Sequence, residues 1–330
     1  MSELAIAVFA GATEAHLVDE PRDRRFSRFQ AAFDDVGYLG RLAELGYRFV
    51  GRSEPAFPAR LASIHDPPPG LFLRGAAPAA LLERPSVAIV GARACSPYGG
   101  TVATALAREL AAAGVVVVSG LARGVDAAAH RGALEGGETV AVLGCGIDRD
   151  YPQAHAALAA QIASSGLVVS EYPPGVDPAP WRFPARNRIV AGLALAAVVV
   201  EARERSGALI TADLALDEGR EVLAVPGEIT SALSRGTNAL LRLGATPVTG
   251  AGDILAVLGL EPRAGPAPPE LTGPLAVVRD AVAAAPSGID ELVRVTGLDA
   301  GAVAAALAEL ELGGLVCGGD GVYREVSALR

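Results

Sequence analysis

The sequence predicts an α/β protein built on an extended Rossmann-like, doubly wound parallel sheet. A small N-terminal helical region is expected before the sheet and a C-terminal winged-helix-like domain after it. Short apolar runs alternate with Ala/Leu-rich helical segments between residues 86 and 258. A proline-rich stretch follows, and then a pattern of three helices and two short strands. Strands that are apolar throughout are typical of parallel sheets covered on both faces.

The first 84 residues are the least regular part of the chain. They contain an arginine-rich patch at 22–28 and the proline run DPPPG at 66–70. For residues 1–84 we expect a small helical region followed by an extended lead-in to the first strand of the sheet.

Seven apolar runs mark the predicted strands, which we place in a domain spanning residues 85–260. They are SVAIV (86–90), VVVVS (115–119), TVAVLG (139–144), LVVSEY (167–172), AVVVEA (197–202), EVLAVPG (221–227) and the weaker TPV (246–248). Because helical segments separate the runs, right-handed crossovers with helices on both faces are expected.

Two further segments complete the predicted organisation. Residues 261–274 hold five prolines among fourteen residues, the composition of a stiff linker. Residues 275–330 are expected to form the winged-helix-like domain, with DAGAVAAALAELELGG as its third helix and GGDG between its strands. Residues 271–330 contain four arginines and eight acidic residues. Such a surface binds phosphate poorly, so a protein-contact role is favoured over DNA binding for this domain.

All 28 basic residues of the chain are arginines, and the formal net charge is −9. The lack of lysine excludes Schiff-base lysine chemistry and phosphate-binding loops that need the lysine of a GK[ST] motif. Net acidity argues against coating nucleic acid by bulk electrostatics, although a local basic groove remains compatible with it. Arginine can grip phosphate with its planar fork and can stack on bases.

The cysteines and histidines are scattered along the chain. They are Cys95, Cys145, Cys317, His16, His65, His130 and His155. None of their spacings is that of a metal site, so we predict no metal and reduced thiols. The N-terminus lacks a signal-peptide pattern, and no apolar stretch is long enough to cross a bilayer. The sequence therefore predicts a cytoplasmic protein without membrane insertion.

The loops after the predicted strands are the candidate ligand-binding elements, because open parallel sheets bind ligands at the carboxyl ends of their strands. The first loop, GARACSPYGG, departs from the dinucleotide fingerprint: Arg93 stands where the second fingerprint glycine would be. Binding of NAD or FAD is therefore disfavoured, and no cofactor is predicted. Arg93 is expected at the mouth of the sheet, with Arg123 of SGLARG nearby.

A basic stretch, WRFPARNRIVAG, follows the fourth predicted strand. It places Arg182, Arg186 and Arg188 within seven residues and without an acid, beside Trp181 and Phe183. One interpretation is a solvated loop that enters a helix. The other is a groove for single-stranded nucleic acid, in which arginines hold phosphates and aromatic rings stack on bases.

Candidate catalytic groups are few. Asp126 and His130 fit a helix N-cap and a packed histidine better than an acid/base pair, because no partnered nucleophile or metal accompanies them. Ser206 and Gly207 open a helix whose free amides can bind a phosphate. Glu171 and Glu201 end two strands, and the sequence leaves their separation open. No catalytic residue is assigned.

An ordered set of motifs carries a family resemblance over residues 86–258. The motifs are IVGARACSPYG, SGLARGVDAAAHRGAL, TVAVLGCGIDRDYP, SEYPPG, FPARNRIVAGL, VVVEARERSGALITADLALDEGREVLAVPG and SRGTNALLRLGA. Together they closely resemble the bacterial DNA-processing family DprA, also called Smf. Members of this family often carry a small helical N-terminal domain and a winged-helix-like C-terminal domain.

The resemblance implies a non-enzymatic protein that binds single-stranded DNA entering the cell in natural transformation and helps to load the RecA recombinase onto it. It also implies a homodimer, and it admits other competence or single-strand-binding proteins as partners. Carried over by motif, the implied DNA-binding residues are Gly91, Arg93, Gly120, Arg123, Phe183, Arg186, Asn187, Arg188, Ser206, Gly207 and Asn238. Arg182 joins them as a further phosphate-binding candidate.

Two other interpretations remain. A phosphoribohydrolase-like nucleotide-processing enzyme would share the arginine pocket, but its PGG…E pattern is absent because Glu228 follows Gly227 directly. An assembly protein that docks partners through its acidic winged helix is compatible with the DNA-binding role. For the dimer, we expect the helix TNALLRLG (237–244) to present Leu240 or Leu241 to the partner.

Overall fold

A computed structural model describes residues 2–13, 24–261, 271–319 and 321–325. Its α-helices are α1 (Glu3–Thr13), α2 (Arg24–Ala32), α3 (Asp35–Glu44), α4 (Ala59–Ala62), α5 (Pro97–Ala112), α6 (Val125–Gly136), α7 (Ala156–Ser165), α8 (Arg182–Leu193), α9 (Gly207–Asp217), α10 (Arg235–Arg242), α11 (Ala251–Val257), α12 (Pro274–Ala284), α13 (Ile289–Thr296) and α14 (Ala300–Leu312). Its strands are β1 (Tyr47–Gly51), β2 (Gly70–Arg74), β3 (Ser86–Val90), β4 (Val116–Ser119), β5 (Thr139–Val142), β6 (Leu167–Ser170), β7 (Ala196–Val199), β8 (Glu221–Ala224), β9 (Thr246–Pro247), β10 (Val316–Gly319) and β11 (Val322–Glu325).

Nine strands form one sheet in the order β1-β2-β6-β5-β4-β3-β7-β8-β9. The seven strands from β3 to β9 pair in parallel and coincide with the seven predicted runs. The Rossmann-like fold predicted from the sequence is therefore confirmed. Strand β3 lies between β4 and β7, so the order of the parallel strands reverses there. This topological switch point opens a crevice at the carboxyl ends of β3 and β7.

The continuous hydrophobicity of the strands follows from cover on both faces. Alternate residues of β3 enter different cores: Ala88 and Val90 pack toward α8, α9 and α10, whereas Val87 and Ile89 pack toward α5, α6 and α11. A one-sided sheet would need polar residues at every second position. The apolar runs are thus a direct consequence of the two helical layers.

Strands β1 and β2 correct the prediction of an extended lead-in. They form an antiparallel pair, and β2 also pairs antiparallel with β6 at the edge of the parallel sheet. In this pairing Phe72 lies opposite Ser170. The sheet therefore begins upstream of residue 85. The partner of β2 lies far away in the chain, so no local pattern marks this pairing.

The winged-helix-like pattern is present after the linker. Helices α12 to α14 surround one apolar core, and β10 pairs antiparallel with β11. Asp299 caps α14 by accepting a hydrogen bond of 3.0 Å from the Ala302 amide. Most of the predicted linker lies outside the described residues, and its last residue, Pro274, is the first of α12.

Candidate nucleic-acid interface

A pocket of about 340 Å³ opens at the topological switch point. Its walls come from the loops after β3, β4 and β7 and from the first turns of α8 and α9. They include residues 90–94, 183–184, 186–187, 203 and 205–208, together with Gly120, Ala122 and Asp126. The pocket opens at the carboxyl ends of the strands, the edge at which the sequence analysis predicts ligand binding.

Three exposed arginines line this pocket: Arg93 after β3, and Arg203 and Arg205 after β7. Among the described residues, no carboxylate lies within ion-pair distance of any of them. Arg203 and Arg205 are not among the residues nominated from the sequence, although both lie in the loop between β7 and α9. Two arginines in a loop after a strand could have indicated an anion site, but Glu204 between them lowers the net charge of that loop.

An aromatic pair lies beside the arginines. The rings of Phe183 and Tyr151 stack with centroids 5.2 Å apart and an interplanar angle of 29°. The Arg93 guanidinium carbon lies 5.9 Å from the centroid of the Phe183 ring. Tyr151 is exposed and was not nominated from the sequence, although it belongs to the YP pair of the third motif. Exposed rings next to cations are the elements that hold unstacked bases in single-strand-binding proteins.

The N-terminus of α9 faces the same pocket. Ser206 caps the helix, and its hydroxyl accepts a hydrogen bond of 3.3 Å from the Ala208 amide. A side chain added at Gly207 would meet no atom within 4 Å. Asn187 donates a hydrogen bond of 3.4 Å to the Gly207 carbonyl, which ties α8 to the start of α9. In this first turn the Ala208 and Leu209 amides donate to the hydroxyl and carbonyl of Ser206 (3.3 and 3.0 Å), so the exposed backbone of Gly207 is the part of the helix end that favours an anion at the pocket surface.

Arg186 has a different environment from the one predicted. It is only 5% exposed. Its guanidinium donates to the carbonyls of Gly120 (2.9 Å) and Val142, and its Nε donates to Asn187 (3.2 Å). A Cβ at Gly120 would collide with this guanidinium, which explains the glycine. Arg186 thus joins the ends of β4 and β5 beneath the pocket, and we assign it to the pocket floor.

Asp126 holds the neighbouring loop. Its carboxylate accepts hydrogen bonds from the amides of Gly120 (3.1 Å) and Ala122 (3.3 Å). Burial raises the pKa of Asp126, and the nearby Arg186 charge opposes that rise. The predicted N-cap is wrong in detail, because Gly124 occupies the N-cap position and Asp126 lies in the first turn of α6. Asp126 instead fixes the backbone between β4 and α6.

Two other arginines of the basic stretch already have partners. Arg188 forms ion pairs with Glu171 (2.7 Å) and Asp66 (2.9 Å). Burial opposes its charge, but these two carboxylates raise the pKa of Arg188 above its ordinary value. Arg182 is buried, donates to the Asp177 carbonyl, and lies 5.0 Å from the Tyr172 and Trp181 rings. Both side chains therefore anchor α8, and we reassign them from phosphate binding to positioning.

Glu201 explains the missing dinucleotide fingerprint. Its buried carboxylate accepts hydrogen bonds from the Ser96 amide (2.9 Å) and the Ser96 hydroxyl (2.5 Å) at the start of α5. In dinucleotide-binding Rossmann folds the corresponding helix N-terminus binds a pyrophosphate. Here the chain's own carboxylate occupies that position. Glu201 and Glu171 also serve separate clusters, since Glu171 binds Arg188.

The remaining predicted residues lie outside the pocket walls. Arg123 is exposed in the loop after β4. Asn238 exchanges two hydrogen bonds, of 3.0 and 3.3 Å, with the backbone of Gly227, so it braces a loop. The expectation that Leu240 contacts a partner is wrong, because this side chain is 8% exposed and packs in the chain's own core. Leu241 is half-buried against the same core.

His130 lies in the core below the pocket and is expected to make stability pH-dependent. Its Nδ1 is 2.8 Å from Thr139 Oγ1. Burial, and secondarily the Arg186 charge, lower the pKa of His130 from its ordinary 6.5 to about 3. Between pH 6.5 and pH 3, His130 is therefore protonated in the unfolded chain but neutral in the folded chain. The free energy of unfolding falls as the pH falls through this range.

Relative to His130→Asn, the unmodified chain should lose about 2 kcal/mol of unfolding free energy between pH 7.5 and pH 5. Urea denaturation at both pH values measures this difference. An identical pH dependence of the two proteins would show that His130 is not the titrating group.

Within the described stretches, no group of three or more histidine, cysteine or acidic side chains is arranged to hold a metal ion. A search of the helices in these stretches finds none that is both long and apolar enough to cross a membrane.

Comparisons with known proteins agree with the motif resemblance. A family model described as DNA recombination-mediator protein A matches residues 48–259, and one described as DprA winged helix domain matches residues 261–321. DNA processing protein DprA of Streptococcus pneumoniae is 47% identical over 208 residues, which cover 62% of this chain and 71% of that protein. The putative DNA processing protein DprA of Mycobacterium tuberculosis is 47% identical over 252 residues, covering 74% of this chain and 65% of that protein.

Solved structures support the same assignment. The X-ray structure of the S. pneumoniae protein has a TM-score of 0.65 and 37% identity, covering 77% of this chain and 93% of that chain. A structure of DNA processing protein A from Helicobacter pylori, described for its single-stranded DNA binding mode, has a TM-score of 0.58 and 34% identity. It covers 64% of this chain and 95% of that chain. The chain belongs to the DNA recombination-mediator protein A family, also known as DprA or Smf.

Proposed function

We propose that this chain binds single-stranded DNA without sequence preference at the switch-point pocket and helps to load RecA onto the bound strand. Family membership makes it a DNA-processing protein of the recombination-mediator type. The observation that carries the DNA-binding step is that the exposed arginines Arg93, Arg203 and Arg205 line one pocket. The RecA step is supported by the family resemblance, and the absence of catalysis is proposed on the same basis.

The exposed side chains of the pocket are assigned to two roles, phosphate binding and base stacking. The three exposed arginines hold consecutive phosphates, and the exposed backbone of Gly207 at the start of α9 adds a fourth, uncharged anion contact. The Phe183–Tyr151 pair offers a ring face to a base. Stacked, paired bases of a duplex cannot reach such a face, so single strands are preferred. Phosphate contacts and ring stacking do not discriminate among bases, so sequence preference is expected to be weak.

Fluorescence anisotropy with labelled single-stranded and duplex oligonucleotides over a salt series tests the proposal. Single-stranded DNA should bind more tightly, and its affinity should fall as salt rises. Equal affinity for duplex DNA would contradict the assignment of the pocket. Release of free base from nucleoside monophosphates would support the phosphoribohydrolase-like alternative instead.

Gly207 allows binding to be changed separately from stability. Gly207→Glu is expected to weaken single-stranded DNA binding by about tenfold, because the new carboxylate lies in open space among the phosphate sites. Folding should be unharmed, since an acid in the first turn of a helix is favourable. Gly207→Gln and Gly207→Ala are the matched controls for size and backbone, and thermal unfolding checks stability. If the glutamine and glutamate variants bind equally, the α9 terminus does not face phosphate.

The homodimer is proposed from the family resemblance, with a revised contact residue. Leu240 of α10 faces the core. Leu243, the residue that follows the last residue of α10, faces outward and its side chain is 86% exposed. Leu243→Glu is expected to convert dimer to monomer in sedimentation velocity. Leu312→Glu, at an equally exposed position on α14, is the control and should leave sedimentation unchanged. A Leu243→Glu protein that still sediments as a dimer would exclude this surface.

A further inference from the structure

A second cavity of about 340 Å³ lies between the Rossmann-like sheet and the winged-helix hairpin. It borders α5, the carboxyl ends of β8 and β9, and strand β11. It shares no lining residue with the switch-point pocket. Cavities between domains are preferred places for small-molecule sites.

The hairpin lies along the first turns of α5. Cys317 Sγ is 3.7 Å from Thr101 Oγ1. Two residues further along β10, a Cβ at Gly319 would lie 3.6 Å from the Cβ of Pro97. Residues two apart on a strand share a face, and residues four apart on a helix share a face. Both contacts therefore show that one face of the hairpin packs against α5, and we call it the docked face.

Strand register places a cation on that docked face. Arg324 of β11 lies directly opposite Cys317 of β10, so both side chains belong to the face that meets α5. Glu325 also borders the cavity, but it lies opposite Val316, whose side chain is buried in the winged-helix core. In the described part of the chain, no carboxylate is within ion-pair distance of Arg324.

The other walls are largely apolar. They are formed by Val102, Ala105, Leu106, Val225, Pro226 and Val248. Two polar residues, Tyr98 and Thr249, also line the cavity, and both hydroxyls already have partners. The Tyr98 hydroxyl donates to the Pro226 carbonyl (3.3 Å), and the Thr249 hydroxyl donates to Asp253 (2.9 Å). The cavity thus combines an apolar body with a single cation at its hairpin side.

We propose that this cavity binds a small organic anion, with its apolar part against α5 and the strand ends and its carboxylate or sulfonate group on Arg324. Such a ligand contacts both domains. Because it binds only the docked arrangement, it stabilises the hairpin on α5. The site is separate from the proposed DNA-binding pocket, so the two proposals succeed or fail independently.

Calorimetric titration with octanoate and its uncharged analogue 1-octanol tests the site in the full chain. Octanoate is expected to bind one per chain, about tenfold more tightly than 1-octanol, as one charge-assisted contact predicts. Arg324→Gln should remove this preference, and Val102→Phe should abolish binding of both by filling the cavity. Thermal unfolding of both variants should match that of the unmodified chain, which shows that they are folded. No saturable binding, or an unchanged preference in Arg324→Gln, would overturn the proposal.

A thiol cross-link tests the hairpin wall separately. Thr101→Cys, in a Cys95→Ser background, places a thiol opposite Cys317. Glutathione disulfide should oxidise the two thiols to an intramolecular disulfide while it is itself reduced to two molecules of glutathione, and saturating octanoate should speed this reaction. Mass spectrometry after proteolysis identifies the linked peptides. If the disulfide does not form, or if its rate of formation does not depend on octanoate, the hairpin does not line the cavity and the proposal is overturned.

Discussion

Simultaneous replacement of Arg93, Arg203 and Arg205 by alanine is expected to lower single-stranded DNA affinity on the order of 10²- to 10³-fold at ~50 mM salt. Each exposed guanidinium releases counterions when it neutralises a phosphate. Loss of all three should therefore flatten the plot of log affinity against log salt by about 2. The three side chains line the pocket without acidic partners among the described residues, so stability should change little.

Arg294→Ala is the control for this experiment. Arg294 is exposed on the winged-helix domain, 2.5 Å from Glu291 and outside the pocket lining. Its loss should leave both the affinity and the salt slope unchanged. If the triple variant keeps the salt slope of the unmodified chain, phosphate is bound elsewhere and the pocket assignment fails. Single variants then show whether the contributions of the three arginines are additive.

The second large effect is expected at Arg186, and it is a loss of stability. Arg186→Ala removes the charged donor to two buried carbonyls, those of Gly120 and Val142. It also removes the positive charge that most opposes the rise in the pKa of the buried Asp126. Together these changes should lower the unfolding free energy by about 2 to 4 kcal/mol, measured by urea denaturation. DNA binding should fall as well, because the pocket floor is no longer held.

Two comparisons separate a structural role from direct DNA contact. Arg123→Ala, at an exposed site, should change stability by less than about 0.5 kcal/mol. Adding Asp126→Asn to Arg186→Ala should restore part of the lost stability, because the uncompensated carboxylate is removed. If Arg186→Ala unfolds like the unmodified chain but loses DNA binding, Arg186 contacts DNA as the sequence motif implied.

Much of the fold was predictable because its signals are local. A strand covered on both faces is apolar at most positions, and β3 to β8 show this as short apolar runs with polar residues only at their ends. The edge of the sheet at which the pocket opens follows from the parallel topology alone. Likewise, a helix cap such as Asp299 depends on residues within one turn of it. These features could be read without knowing what lies next to each element in space.

The role of each arginine in the basic stretch was decided by partners that are distant in sequence. Arg188 meets Asp66, and Arg186 meets carbonyls at the ends of two other strands. A guanidinium can bind phosphate only if no carboxylate or carbonyl of the chain already accepts its hydrogen bonds. The motif FPARNR does not include these partners, so it cannot predict which arginines remain available.

The sequence was therefore sufficient for the α/β architecture, the family and the location of the pocket, since these depend on periodicity, ordered motifs and strand direction. Tertiary packing decided which arginines remain exposed, where β1 and β2 join the sheet, and whether Leu240 or Leu243 faces outward. The physical reason is that burial and charge pairing are properties of neighbours brought together by folding, and those neighbours lie far apart along the chain.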